Sequence, residues 1–282
     1  MKSVKTKRKS TALNQMMMAD CFPKSKTINE RNSRDNNEEV ESMFGLTLKE
    51  TMQLQAERLP DYPLKIPWVL PSLGQKIIDL EGQSIEGIFR VPANYEDICH
   101  KKVSLDQWRI DDVDDCYTAS ALFKQWLRDL SEPLVPYDLY KDALELGEKL
   151  ENPGLDDCPE KLTWEFMAYK MEPTKLNYRT LAYLVEYLQG FTVPAIEAKT
   201  KMNARNLATI FAPNILRAPK PMAEKSTRST FLRLIDSVAK EKNFLTSLIK
   251  WLNVENLPCL RKSPTLVELE KNLKLDYHQL VD

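Results

Sequence analysis

Ala119-Ser120-Ala121-Leu122-Phe123-Lys124-Gln125-Trp126-Leu127-Arg128-Asp129-Leu130-Ser131-Glu132-Pro133-Leu134 is the stretch whose reading decides the fold. Ala119, Leu122, Phe123, Trp126, Leu127 and Leu130 recur at helical spacing and make one apolar stripe, as on a helix with one face against a core. Lys124 and Arg128, four apart, share the opposite face. Like charges at that spacing cost an isolated helix about 0.2 to 0.5 kcal/mol. The pair is therefore mildly unfavourable unless an acidic surface or an anion faces it, and taken alone it reads as a solvated helix face. The helix stops before Pro133, because the residue preceding a proline is pushed out of the helical region.

Working outward, the same repeat runs between proline and glycine breaks. It predicts about nine helices, over 46–58, 68–80, 95–103, 118–130, 137–150, 156–169, 174–189, 203–211 and 229–252, with a short peripheral one over 263–272. No alternating strand pattern competes, so the fold class is all-α. Gly190 is expected to close its helix at the C′ position. Asn203 is an N-cap candidate, with Leu207, Ile210 and Phe211 on one face behind it. Pro213 is expected to end or kink that helix, leaving Asn214 at a break with its amide pointing outward as donor and acceptor; a helix C-terminal cap is the plain alternative. Trp108, Trp126, Trp164 and Trp251 sit among apolar residues and are expected in the core.

A different kind of signal is Glu86-Gly87-Ile88-Phe89-Arg90-Val91, which sets one arginine in a glycine-started turn between apolar neighbours. Such an arginine is, by itself, usually a surface residue. The seven glycines form no Gly-x-Gly-x-x-Gly or Walker-type loop, so the chain lacks the phosphate cradle of a nucleotide hydrolase. An arginine offered this way serves another molecule's chemistry.

Three motifs in order, Gly87-Ile88-Phe89-Arg90, Leu122-Phe123-Lys124-x-Trp126-Leu127-Arg128-x-Leu130-x-Glu132-Pro133-Leu134 and Asn206-Leu207-Ala208-x-Ile210-Phe211-Ala212-Pro213-Asn214, together resemble the Rho-family GTPase-activating (RhoGAP) domain. The run Phe44-Gly45-Leu46-Thr47-Leu48, the element Ile66-Pro67-Trp68, and Val91-Pro92 followed by Leu105-Asp106-Gln107-Trp108 look most like the Vilse or CrossGAP type. The resemblance implies a RhoGAP-like helical bundle and a GTPase-activating role toward a Rho- or Rac-family GTPase in its GTP-bound form. Arg90 would be the arginine finger, a planar, permanently charged fork matched to phosphoryl oxygens. Lys124 and Arg128 would be the family's basic pair, one buttressing the finger loop and both facing the acidic switch region, and Asn214 would contact the GTPase near the finger. GTP, Mg²⁺ and the water-orienting glutamine belong to the partner, so no cofactor and no metal are expected in this chain. The common pattern has a serine and a glycine where Pro92 and Ala93 stand, and a glycine in place of Ala212; without its glycine the loop is confined to backbone angles that an alanine tolerates. The competing reading is a catalytically weak GAP-fold module that binds a GTPase or another signalling partner.

Composition agrees with one such domain. The 282 residues carry a formal charge of −1 and show no nucleic-acid recognition motif, so a nucleic-acid role is not expected. Two histidines and five cysteines without a Cys-x-x-Cys pair argue against zinc and a disulfide framework and for a reduced, cytoplasmic setting. Asp111, Asp112, Asp114 and Asp115 lack the EF-hand alternation and read as a solvated acidic loop. No apolar run approaches the ~18 residues of a membrane span. The organisation expected is a disordered basic tail over 1–42, the domain over 43–255 and an extension over 256–282. In residues 1–34, Lys2, Lys5, Lys7, Arg8, Lys9, Lys24, Lys26, Arg31 and Arg34 stand against Asp20 and Glu30, a net of +7. That cluster fits peripheral contact with an anionic membrane, a nuclear signal or a plain solvated tail.

Overall fold

The computed structural model describes residues 42–258 other than 63, 152, 155 and 220–227, and gives only the backbone over 228–234. Among the described residues the chain is all-helical. The α-helices are α1 (Leu48–Arg58), α2 (Val69–Asp79), α3 (Tyr95–Asp106), α4 (Cys116–Asp129), α5 (Tyr140–Glu151), α6 (Pro159–Glu165), α7 (Lys175–Phe191), α8 (Pro194–Thr200), α9 (Ala204–Ile215) and α10 (Arg228–Trp251). A π turn and a 3₁₀ turn carry the chain from α6 into α7. The basic cluster and the rest of the tail over 1–41, and the helix expected over 263–272, lie outside the described residues.

Helix starts follow from side-chain caps. Thr47 and Glu50 form a reciprocal capping box at α1, and Asn94, Asp115 and Asn203 each accept a backbone N–H at the first turn of α3, α4 and α9, satisfying donors that a helix leaves orphaned. Asp115 thus serves α4, while Asp112 and Asp114 pair with Arg109 and Lys101 at 3.1 and 2.9 Å. Helix α4 lies between α2, α3 and α9, and α10 runs along α5 and α9. The expected stripe of α4 is the centre of the core: Ala119, Leu122, Phe123, Trp126 and Leu127 are fully buried. The Trp126 indole donates to Met43 O at 3.0 Å, and Ser42 Oγ and Met43 N–H both donate to Asp106 Oδ1. At the other end Leu257 is buried, Trp164 Nε1 donates to Asn256 O and Tyr178 Oη donates to Pro258 O. Packing therefore reaches slightly past the expected limits of 43 and 255.

Four expectations change. Gly190 does not close its helix; α7 continues to Phe191, and nothing approaches the glycine closely enough to exclude a side chain. Pro213 does not break α9, which runs to Ile215, because a proline near a C-terminus disturbs little more than the carbonyl of Thr209. Trp251 is 41% exposed, at the last residue of α10; Trp126 alone of the four is fully buried, and Trp108 and Trp164 are partly covered. Helix α8 was not expected, since seven residues carrying Ile196 as their one buried apolar side chain show no repeat.

Helices α5 and α10 approach closely at Gly147, where an added Cβ would meet the backbone of Lys240 and would stand 2.9 Å from Phe244 N. Backbone cannot rotate away as a side chain can, so α5 and α10 would have to separate. Gly147→Ala is expected to lower stability by about 1–3 kcal/mol, measured by chemical denaturation.

Candidate functional site

The turn bearing Arg90 is built around two left-handed residues, Gly87 and Phe89, both at φ 70°. Glycine accepts this freely, whereas a residue with a Cβ is disfavoured there by roughly 1–2 kcal/mol. The phenyl ring offsets that strain. Phe89 is 1% exposed and meets Phe191, Phe211 and Tyr187 edge-on at centroid distances of 5.0, 5.2 and 6.4 Å. Burying such a ring contributes about 1.5–3 kcal/mol, with about 0.5–1.5 kcal/mol more for each good aromatic pair. With Phe89 fixed inward, the next side chain faces outward: Arg90 is exposed.

The backbone of the turn is fastened at both ends. Gly87 N–H donates to Thr200 O at 2.8 Å, and Gly87 O accepts from the N–H groups of Arg90 and Val91 at 2.8 and 3.0 Å. Lys124 Nζ donates to Phe89 O. The Arg90 guanidinium lies over Gly87, where a Cβ would come within 3.1 Å of its Nη2; that exposed side chain can yield, so it is the backbone angle that calls for glycine.

Lys124 therefore does not lie on a plain solvated face. It is half-buried beneath the turn, and burial holds its ammonium down to about 8 from the ordinary 10.5, with Arg128 pushing the same way. Arg128, one turn further along α4, is exposed and stands 3.9 Å from Asp129. Asn214 departs from its expected pose. It is buried, and its Nδ2 donates back to Ile210 O at 2.8 Å instead of pointing outward, because α9 continues through Pro213. Its place is nonetheless close to the turn, three residues beyond Phe211, whose ring packs on both Phe89 and Phe123. One aromatic cluster thus seats the segments that carry Arg90, Lys124 and Asn214, with Arg128 on the adjoining turn of α4.

Sequence reasoning passed over Thr200 and Arg217. Thr200 acts on the turn through its carbonyl, which no side-chain motif announces. Arg217 Nη2 donates to Leu130 O and Val135 N–H to Ile215 O at 3.0 Å, which ties the end of α9 to the segment leaving α4. Arginine before Ala218-Pro219 gave no signal for that contact.

The helical bundle that carries this turn falls within a known domain family. The RhoGAP domain model matches residues 67–220, and the chain belongs to the RhoGAP domain family. It is 34% identical over 209 residues to GTPase activating protein homolog 2 of Dictyostelium discoideum, across 73% of this chain and 21% of that protein. It is 31% identical over 186 residues to Rho GTPase-activating protein 24 of Rattus norvegicus, across 62% of this chain and 22% of that protein. The chain thus spans about a fifth of the length of these relatives. The crystal structure of human Rho GTPase activating protein 15 shares the fold, with a TM-score of 0.55 and 20% identity over 73% of this chain and 89% of that one.

The depressed Lys124 value carries a sign. The unfolded chain keeps this proton up to about 10.5 and the folded chain releases it near 8, so between these values the unfolded state binds more protons and stability rises with pH. Lys124→Met is expected to lose that rise. Denaturant unfolding of both proteins at about pH 8 and about pH 10 measures it, the parent gaining more stability than the variant.

Proposed function

We propose that this chain is a GTPase-activating protein for a Rho- or Rac-family GTPase and that Arg90 is its arginine finger, supplied in trans. The observation that carries this reading is the exposed Arg90 on a turn whose neighbours are bonded or buried: Phe89 sits in the core, its carbonyl accepts from Lys124, and Gly87 N–H donates to Thr200 O. A guanidinium presented from a rigid base meets the charge that develops on the transferred phosphoryl group without reorganising at that moment. Fingers of this kind contribute about 10³–10⁵ in rate. The partner brings nucleotide, Mg²⁺ and water-orienting glutamine; this chain brings a cation and a docking surface.

In this reading Lys124 buttresses the turn, Arg128 meets the acidic switch region of the GTP-bound partner from an exposed position, and Asn214 contacts the partner once its amide leaves Ile210 O and turns outward. The Vilse-like residues Ile66-Pro67-Trp68 support a Rac-type preference. They are structurally tied in, since Gln55 Oε1 accepts Trp68 N–H at 2.7 Å and Gln55 Nε2 donates to Ile66 O at 3.3 Å.

Single-turnover GTP hydrolysis by a panel of Rho, Rac and Ras GTPases, with and without the chain, tests the proposal. Stimulation of a Rho-family member is expected, largest for Rac. Arg90→Ala should lose about three orders of magnitude or more of that stimulation with its thermal unfolding unchanged, and Arg90→Lys should restore little, since a point charge does not copy the fork. An alanine variant as active as the parent would overturn the reading.

A further inference from the structure

The turn bearing Arg90 is held at its exit by Lys124 and at its start by Thr200 O, and the aim of that carbonyl is set by the corner between α8 and α9. Lys201 stands in the corner at φ 58°, an angle disfavoured by roughly 1–2 kcal/mol for a residue with a Cβ. The bend therefore needs other bonds to keep it. Lys201 N–H donates to Glu197 O at 2.8 Å. Thr200 Oγ1 donates to Ile196 O at 3.0 Å and accepts Met202 N–H at 3.3 Å, from a fully buried position. On the far side Asn206 Nδ2 donates to Lys201 O at 2.8 Å, while Asn206 N–H is taken by Asn203 Oδ1 at 2.9 Å. One hydroxyl and one amide thus grip the two ends of a single peptide group, Lys201 C=O and Met202 N–H, which follows directly on the peptide group that carries Thr200 O and is itself held by Lys201 N–H on Glu197 O.

We infer that Thr200 and Asn206 are positioning residues for the finger: they fix the α8–α9 corner, which aims the Thr200 carbonyl at the Gly87 N–H and so sets where Arg90 meets the partner's phosphates. The inference rests on the proposed role of Arg90. Among the side-chain bonds of Thr200 and Asn206 described above, every one is to the α8–α9 corner itself, so their effect on the turn passes through the Thr200 carbonyl. Displacing a catalytic group by about 1 Å can cost about 10²-fold in rate. Loosening the corner should therefore slow the chemical step while the exposed docking surface around Arg128 still binds the partner.

The test uses the panel member that the parent stimulates most, loaded with GTP, in single-turnover hydrolysis at increasing concentrations of activator. Asn206→Ala and Thr200→Val are expected to lower the saturating rate about tenfold or more and to change the half-saturating concentration by less than about threefold. Thr200→Ser, which keeps the hydroxyl, should restore the parent rate. In an Arg90→Ala background, Asn206→Ala should slow hydrolysis no further, because the group it positions is gone. Parent-like saturating rates for both variants, or an equal further loss in the Arg90→Ala background, would overturn the inference. Asn206 is only partly buried, so its variant decides the matter even if Thr200→Val fails to fold. A parent-like Arg90→Ala would instead remove the proposed function itself, whereas a crippled Arg90→Ala beside parent-like Asn206→Ala and Thr200→Val would remove only this inference.

Discussion

Everything that distinguishes this surface depends on the burial of one ring. Phe89 takes a backbone angle that its side chain disfavours, and it does so because Phe191, Phe211 and Tyr187 receive it edge-on. Chain geometry then leaves Arg90 no inward option. The cluster around that ring binds together elements far apart in sequence, since Phe123 of α4 stacks on Tyr187 of α7 at 5.3 Å and meets Phe211 of α9 at 6.0 Å. The polar groups of the candidate site are thus arranged by apolar packing beneath them, with Lys124 bonded to the carbonyl of the buried Phe89.

Helix α4 has two jobs whose demands coincide. Its buried stripe fills the core, and the opposite side carries Lys124 and Arg128 at the spacing that would weaken an isolated helix. The observed structure shows how the cost is met for Lys124: its ammonium is drawn beneath the turn onto a carbonyl, at the expense of partial desolvation that lowers its proton affinity. Arg128 stays in solvent, where repulsion is screened and its nearest counter-charge is Asp129.

The fold and the motif positions were legible in the sequence wherever a periodic apolar pattern or a capping side chain carried the information. Residues 119–130 gave the central helix, Asn203 gave a true N-cap, and the motif order gave the family. What stayed hidden has a common cause. Helix α8 is under two turns long and so has no period to read. The grip of Thr200 on Gly87 is a backbone bond without residue code, and the inward turn of the Asn214 amide follows from a helix that persists through Pro213. Trp251 misled because it falls on the outer face of α10 while Leu248, Ile249 and Leu252 beside it are buried. The outward face of Arg90 was legible only by its company, because an isolated Gly-x-Phe-Arg turn says little.

The acceptors described for the Arg90 turn are main-chain carbonyls, those of Ile85, Gly87, Phe89 and Thr200. Carbonyls persist through almost any substitution, so the side chains that follow on the surface are free to drift over evolutionary time. Pro92 and Ala93, which stand where the common family pattern has serine and glycine, illustrate that latitude: Ala93 is not among the residues with a positive φ, and neither residue supplies one of these acceptors. A loop fastened in this way can vary its outline while the arginine keeps its bearing, which separates change in the outer surface of the loop from the position of the arginine.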